Sequence, residues 1–251
     1  MRIAIVGYGK MGHVLHEAAL RQGHTVVSVI DPHGSAGQIT HRDLTASALS
    51  GADVAIEFSV PEGIEGRLDT YVAAKVPAVI ATTGWYGQLD SITAKMDGKD
   101  CAIIWSGNYA IGVHLFFAIA RKAASLMNRF ATYDPVVQEL FHAGKGDSPS
   151  GTSLMLGKIL LEELDRKERL ETGRLDRKRT ADEIHLSSAR GGANPGTHTL
   201  IFDSPEDSIE ITHRARSREG FVTGALQAAE WIRDGRKGFF TLDDMLRQLL
   251  S

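Results

Sequence analysis

The sequence predicts an α/β chain in two parts: an N-terminal doubly wound parallel sheet, then a C-terminal α+β portion built on an open mixed sheet. Three observations carry this. Short apolar runs alternate with helical segments up to about residue 110, the pattern of strands buried on both faces and joined by helices. The first run passes directly into Gly7-Tyr-Gly9-Lys-Met-Gly12. From residue 184 onward apolar residues alternate singly, as they do in strands with one covered face.

Taken in order, Arg2 to Val6 is the first strand. Met11, Val14, Leu15, Ala18, Ala19 and Leu20 then recur at helical spacing, and Gly23-His24 closes that helix. Thr25 to Ile30 is a second strand ending at Asp31. Strand, Gly-x-Gly-x-x-Gly, helix, strand and acid together form a Rossmann-type dinucleotide fingerprint. Its glycines permit a tight turn and close approach of backbone to a pyrophosphate, and the acid holds a ribose hydroxyl. Asp31 favours NADH, because it would repel a 2′-phosphate. Lys10, inside the loop, can still meet one, so use of NADPH stays open. Further units follow: strand Ala52 to Phe58, helix Gly63 to Lys75, strand Ala78 to Ala81, a charged helix Gln88 to Asp97 and strand Ala102 to Trp105. Phe58, Ser59, Thr82, Thr83 and Gly84 fall at carboxyl ends of these strands, where open α/β sheets bind ligands.

In the second part, Val113 to Met127 reads as a helix with a wide apolar face, and Pro135 to Val137 as a short strand. Ser148, Pro149, Ser150, Gly151 and Thr152 then open a helix carrying Leu154, Met155, Ile159, Leu160, Leu161 and Leu164. Unpaired N–H groups at such a terminus favour anions, and His142 and Lys145 lie just upstream, so the stretch suits a small carboxylate. An ordinary capped helix with a solvated lysine explains the spacing equally well. Glu162 to Arg179, dense in both charge signs, reads as a solvated helix end and exposed loop. Strands at 184–190, 197–202 and 208–213 follow, with a turn at Arg190-Gly-Gly192, then closing helices over Phe221 to Arg233 and Thr241 to Leu250. Thr241 caps the last, with Asp243 and Asp244 in its first turn. His185, His198 and His213 lack metal-ligand spacing and read as polar strand residues, so no metal is expected.

Composition narrows the function. The chain has 251 residues and formal charge −3, enough for one large or two small domains, with no electrostatic case for nucleic acid or an anionic membrane. No apolar run is long enough to span a bilayer. Met1 leads directly into a strand, unlike a signal peptide. Cys101, the one cysteine, is expected to be a small buried strand residue in a reducing cytoplasm.

The stretch Glu139 to Thr152 resembles the signature of the dihydrodipicolinate reductase family, Glu-x-His-His-x-x-Lys-x-Asp-x-Pro-Ser-Gly-Thr. It matches at Glu139, His142, Lys145, Asp147, Pro149, Ser150, Gly151 and Thr152, and departs at Phe141, where the family has the first His of its pair. Phe58-Ser-Val-Pro61, Ala81-Thr-Thr-Gly84, Asn108-Tyr-Ala-Ile-Gly-Val113, Ser188 to Gly192, Gly196 to Phe202 and Glu210 to Ala215 resemble further family segments in the same order. The resemblance implies a dinucleotide-binding domain over 1–110, completed by helices within 220–251. Residues 111–219 would then bind substrate and assemble a homotetramer through their sheet.

The implied reaction is hydride transfer from NADH or NADPH to a cyclic imine carrying two carboxylates, in lysine and diaminopimelate synthesis. The implied cofactor contacts are Gly7, Gly9, Lys10, Met11, Gly12, Asp31, Phe58, Ser59, Ala81, Thr82, Thr83, Gly84, Asn108 and Tyr109. The implied substrate contacts are His142, Lys145, Ser150, Gly151, Thr152 and Thr83. Phe141 removes the family's proposed proton donor. A positioned acid is worth about 10²–10⁴-fold, so its loss need not abolish turnover. Three readings follow. The family reaction continues with Lys145, His142 or a water as donor; the substrate is another cyclic imine or imino acid; or the chain is a catalytically weak cofactor-binding protein. Retention of the anion-binding residues argues against the third, since a silent site has no need of them, and the first is carried forward.

Overall fold

The structure, a computed structural model, describes residues 1–34 and 37–250. In chain order its elements are β1 (Arg2–Val6), α1 (Lys10–Arg21), β2 (Thr25–Ile30), β3 (Val54–Glu57), α2 (Ile64–Ala74), β4 (Ala78–Ile80), α3 (Leu89–Met96) and β5 (Ala102–Trp105). Then come α4 (Ile111–Met127), β6 (Asp134–Phe141), α5 (Gly151–Glu163), β7 (Arg169–Glu171), β8 (Glu183–Arg190), β9 (Thr197–Asp203) and β10 (Ser208–Arg214). The chain closes with α6 (Glu219–Ile232), β11 (Gly238–Thr241) and α7 (Leu242–Leu250). Two compact units result, one of Met1–Ala110 with the segment from Glu219 onward, the other of Ile111–Arg218.

The first unit is a parallel sheet in the order β11-β5-β4-β3-β1-β2. Its central strands are apolar and buried on both faces, as the continuous runs predict, except at Arg2, which opens β1 exposed, and at the buried Glu57, which ends β3. Ile64, Leu68, Tyr71, Ile92 and Met96 of α2 and α3 close one core against it, and α6 packs on β3, β4 and β5 as well as on α1. Each such apolar side chain contributes about 1.5–3 kcal/mol on burial. The chain leaves β1 toward β2 and then returns to β3 on the other side of β1. That reversal opens a crevice at the carboxyl ends of β1 and β3. At the far edge β11 pairs with β5, a strand that the periodicity does not announce. Thr241 and Asp244 close a reciprocal capping box on α7, with Asp244 N–H donating to Thr241 Oγ1 (3.2 Å) and Thr241 N–H to Asp244 Oδ2 (2.8 Å).

The second unit is a mixed sheet, β10-β9-β6-β8-β7, with α4 and α5 on one face. Register aligns its inner face in rows. Ile211, Leu200, Val137 and Leu186 lie side by side, and all but the half-buried Ile211 are fully buried. One step along the strands the row becomes polar: His213, His198, Glu139 and Ser188. The outer face carries Gln138, Leu140, Ser187, Thr197 and Thr199, with Leu140 39% exposed.

Two expectations are corrected here. The strand expected at Pro135 to Val137 continues to Phe141, because β6 is central and paired on both sides, so Glu139 and Phe141 are strand residues facing inward. The segment expected as exposed loop contains β7 and the buried Lys167, whose Nζ donates to Asp134 Oδ1 and the Ala181 carbonyl (both 2.6 Å) and to the Glu183 carbonyl (3.2 Å). A lysine tolerates burial when its donors are met in this way.

Candidate active site

The glycine turn divides its labour by position. Gly7 has φ +87°, and a Cβ there would overlap the Phe58 carbonyl oxygen. A Cβ on Gly12 would overlap the Gly7 carbonyl oxygen, so this glycine seats α1 against the turn. Gly9 is different: a Cβ there meets no protein atom within 4 Å. Packing of the protein does not require a glycine at Gly9, whereas a pyrophosphate lying on the backbone does. Lys10 is exposed beside it at the start of α1, and Met11 is half-buried.

Asp31 lies at the end of β2. Its Oδ2 accepts from Tyr8 N–H of the glycine turn (2.6 Å), and Oδ1 accepts from His33 and Gly34 N–H (2.7 and 2.9 Å). Partial burial works against its charge, but these three donors outweigh that and hold the carboxyl below its ordinary range. The carboxylate thus ties the turn to the loop after β2, and lone-pair capacity remains for a ribose hydroxyl.

At the ends of β3 and β4, Phe58, Ser59 and Ala81 are half-buried, while Thr83 and Gly84 are exposed. Two of the implied cofactor neighbours, Thr82 and Tyr109, keep their side chains inside the unit. Thr82 is buried and its hydroxyl is engaged inside the unit. Tyr109 is buried too, donating to the carbonyls of Ile80 (3.2 Å) and Ile104 (3.0 Å), and burial pushes its pKa well above the usual value. Asn108 is half-buried; its Oδ1 accepts from Ala110 N–H (2.8 Å) and shapes the turn after β5.

In the second unit, the loop 142–149 hangs from the segment 191–196. Gly191 N–H bonds Phe141 O, His142 N–H bonds Asn194 O and Ala143 N–H bonds Gly192 O, at 2.9, 2.8 and 3.2 Å. The loop delivers the chain to Ser150, the N-cap of α5, whose hydroxyl accepts from Ser153 N–H. Among the described residues no acceptor faces the N–H groups of Gly151 and Thr152, which open outward with the positive end of the helix dipole. Lys145 Nζ is 2.6 Å from Asp147 Oδ1 and 4.7 Å from the Phe141 ring centroid. His142 is half-buried nearby, its ring 6.5 Å from that of Phe141. Phe141 also lies 5.4 Å from the Arg190 guanidinium carbon and edge-on to His198 at 5.4 Å. The ring therefore holds two cations near it, both within cation–π range.

Beneath this surface sits Glu139, 3% exposed. It accepts from Ser150 N–H (3.0 Å) and from the hydroxyls of Ser150 and Ser153 (both 2.5 Å). It also accepts from Arg190 Nη2 (2.7 Å). Burial raises its pKa, and these bonds reverse the effect and bring it down to about 2. The one proton of the Ser150 hydroxyl is spent on Glu139. His198 Nε2, 3.3 Å from that oxygen, is therefore the donor between them, and Nδ1 is the bare nitrogen, without a partner. Burial, partly opposed by Glu139, lowers the His198 pKa to about 4, so its ring is neutral near pH 7. Both the N–H and the O–H of Ser150 serve Glu139, whereas the N–H groups of Gly151 and Thr152 have no such partner among the described residues. Glu139 and Arg190 as a hub escape sequence reasoning, since their pairing depends on strand register. Arg190, expected in a turn, ends β8 directly opposite Phe141.

No group of residues that could hold a metal ion occurs among the described residues, and none of their helices is long and apolar enough to cross a membrane.

Comparison with known proteins places both units in one family. Residues 1–109 match the family model described as dihydrodipicolinate reductase, N-terminus, and residues 112–246 match dihydrodipicolinate reductase, C-terminus. The 4-hydroxy-tetrahydrodipicolinate reductase of Christiangramia forsetii is 36% identical over 251 residues, 100% of each chain. That of Staphylococcus carnosus is 33% identical over 98% of this chain and 99% of its own. Among solved structures, a dipicolinate-bound dihydrodipicolinate reductase from Paenisporosarcina sp. TG-14 superposes with a TM-score of 0.77 at 21% identity, covering 96% of this chain and 97% of its own. A probable dehydrogenase from Thermotoga maritima shares the fold more distantly, at a TM-score of 0.60 and 9% identity, with 97% and 92% covered. Matched from its glycine turn to its closing helices, the chain belongs to the dihydrodipicolinate reductase family.

Proposed function

We propose that the chain is a 4-hydroxy-tetrahydrodipicolinate reductase, reducing a small cyclic dicarboxylate with a nicotinamide cofactor in lysine and diaminopimelate synthesis. One observation carries the reading. The free N–H groups of Gly151 and Thr152 open the helix that follows the loop bearing His142 and Lys145, in a chain whose other unit has a glycine turn open at Gly9. When bound, the cofactor supplies the hydride. The chain's residues bind and orient. Gly151, Thr152, His142 and Lys145 hold the carboxylates, and Glu139, through Ser150 and Arg190, keeps that surface in place. Thr83 and Gly84 lie exposed at the end of β4, where the ring is expected. Lys145 is the proton donor: its ammonium has three N–H groups, and Asp147 occupies one. Asp31 supports NADH as the preferred cofactor.

The outer face of the second sheet, with Leu140 exposed, supports a homotetramer assembled through it. Cys101 is buried, and burial pushes its thiol up to about 11, which suits a reducing cytoplasm. Phe141 favours one alternative, another cyclic imine whose ring packs on the phenyl group. Oxidation of NADH and NADPH, measured with substrate generated in situ and then with a panel of cyclic imines, separates the two. The proposed reading expects the family substrate to be turned over fastest and NADH to have the lower KM.

A further inference from the structure

Glu57 is a buried carboxylate outside the substrate site. It ends β3 and is 0% exposed. Among the described residues, the polar groups bonded to it are donors. Thr82 Oγ1–H donates to Oε1 (2.7 Å), Tyr71 O–H donates to Oε2 (2.7 Å) and Arg67 Nη2 lies 3.1 Å from Oε1. Burial, followed by the charge of Glu57, pushes the Tyr71 pKa well above its ordinary value, so this hydroxyl keeps its proton and donates. The bonds extend into two turns. The Thr82 hydroxyl accepts from Ser59 N–H (3.0 Å), linking the turn after β4 to the turn after β3. Arg67 reaches over the latter, donating to the carbonyls of Val60 and Glu62 (both 2.6 Å). The Thr82 carbonyl in turn accepts from Trp85 Nε1 (2.7 Å), which holds Thr83 and Gly84 from the other side. A buried ion pair is a poor source of stability, since apolar replacements often do as well. What this one supplies is a fixed spacing between two ligand-facing turns.

We propose that Glu57 is a positioning residue for the nicotinamide ring. Its carboxylate locks the Ser59 and Thr83 turns together, and so sets where the ring lies without touching it. The proposal rests on the cofactor reading above, and its test does not need turnover. Dissociation constants for NADH and for ADP-ribose, which lacks the nicotinamide ring, are measured by fluorescence or calorimetry on wild type, Glu57→Gln, Thr82→Val and Thr82→Ser. Glu57→Gln and Thr82→Val should weaken NADH about tenfold, the scale of one lost hydrogen bond to a charged group, and leave ADP-ribose within about twofold. Thr82→Ser keeps the hydroxyl and should bind NADH like wild type. If Glu57→Gln does not fold, the two Thr82 variants carry the test. Equal weakening of NADH and ADP-ribose would show a merely structural role, and unchanged NADH binding in folded Glu57→Gln or Thr82→Val would also overturn the proposal. Failure of wild type to bind NADH at all would instead overturn the cofactor reading, and this proposal with it.

Discussion

At the scale of single residues, the account turns on what surrounds Phe141. No titratable group stands at that position, and Lys145 is held over its ring. Lys145→Ala is expected to lower kcat by at least about 10²-fold, the ordinary worth of a positioned acid, with NADH affinity unchanged; steady-state kinetics and a cofactor titration check this. Glu139→Gln should raise the substrate KM more than it affects NADH binding, and should cost about 1.5–3 kcal/mol of stability as charged hydrogen bonds are lost. His198 adds a pH signature. Its folded pKa is about 4, against 6.5 for an unperturbed histidine. The unfolded chain therefore takes up the proton first. The stabilisation is complete above about pH 6.5 and is lost as pH falls toward 4, on the order of 3 kcal/mol in all. Urea midpoints should fall between pH 7.5 and 5, and His198→Gln should flatten that fall. Of these residues Lys145 was legible from the signature. His198 was not, because burial and a bare Nδ1 follow from the strand register that puts it opposite Glu139.

At the scale of elements, periodicity served best where one physical cause acted. Buried parallel strands announce themselves as apolar runs, and α7 by its capping box. The misreadings fell where long-range partners override local pattern. β6 continues through Gln138 and Glu139 because two neighbouring strands pair with it and four donors satisfy the carboxylate. β7 hides in a charged segment because Lys167 finds its acceptors on other strands. The α5 N-terminus is the element to which the proposed function gives the substrate carboxylates. Ser150→Ala removes its cap and should cost about 1 kcal/mol, visible in thermal melts, and should raise the substrate KM by disordering Gly151 and Thr152. Gly196 supports the same site from β9's side. Its φ is +140°, and a Cβ would come within 2.7 Å of the Phe141 ring. Gly196→Ala should therefore destabilise by roughly 1–3 kcal/mol and loosen Phe141 and Lys145 together.

At the scale of the whole molecule, the proposed function gives the nucleotide to the glycine turn of the first unit and the carboxylates to the α5 N-terminus of the second. The glycine turn and the capped helix were legible as motifs, since each is a short local device. The hubs beneath them, Glu57 and Glu139, were not, since each gathers donors from segments distant in sequence. If the outer sheet face joins four chains, Leu140→Glu should shift the species seen by light scattering from four chains to fewer. The most direct measurement is NADH oxidation by the purified protein with 4-hydroxy-tetrahydrodipicolinate generated in situ by the preceding synthase, with Phe141→His run beside it. The account predicts clear turnover by the natural sequence, dependent on Lys145, and a higher kcat for Phe141→His. Bound NADH with no turnover by either protein would contradict it.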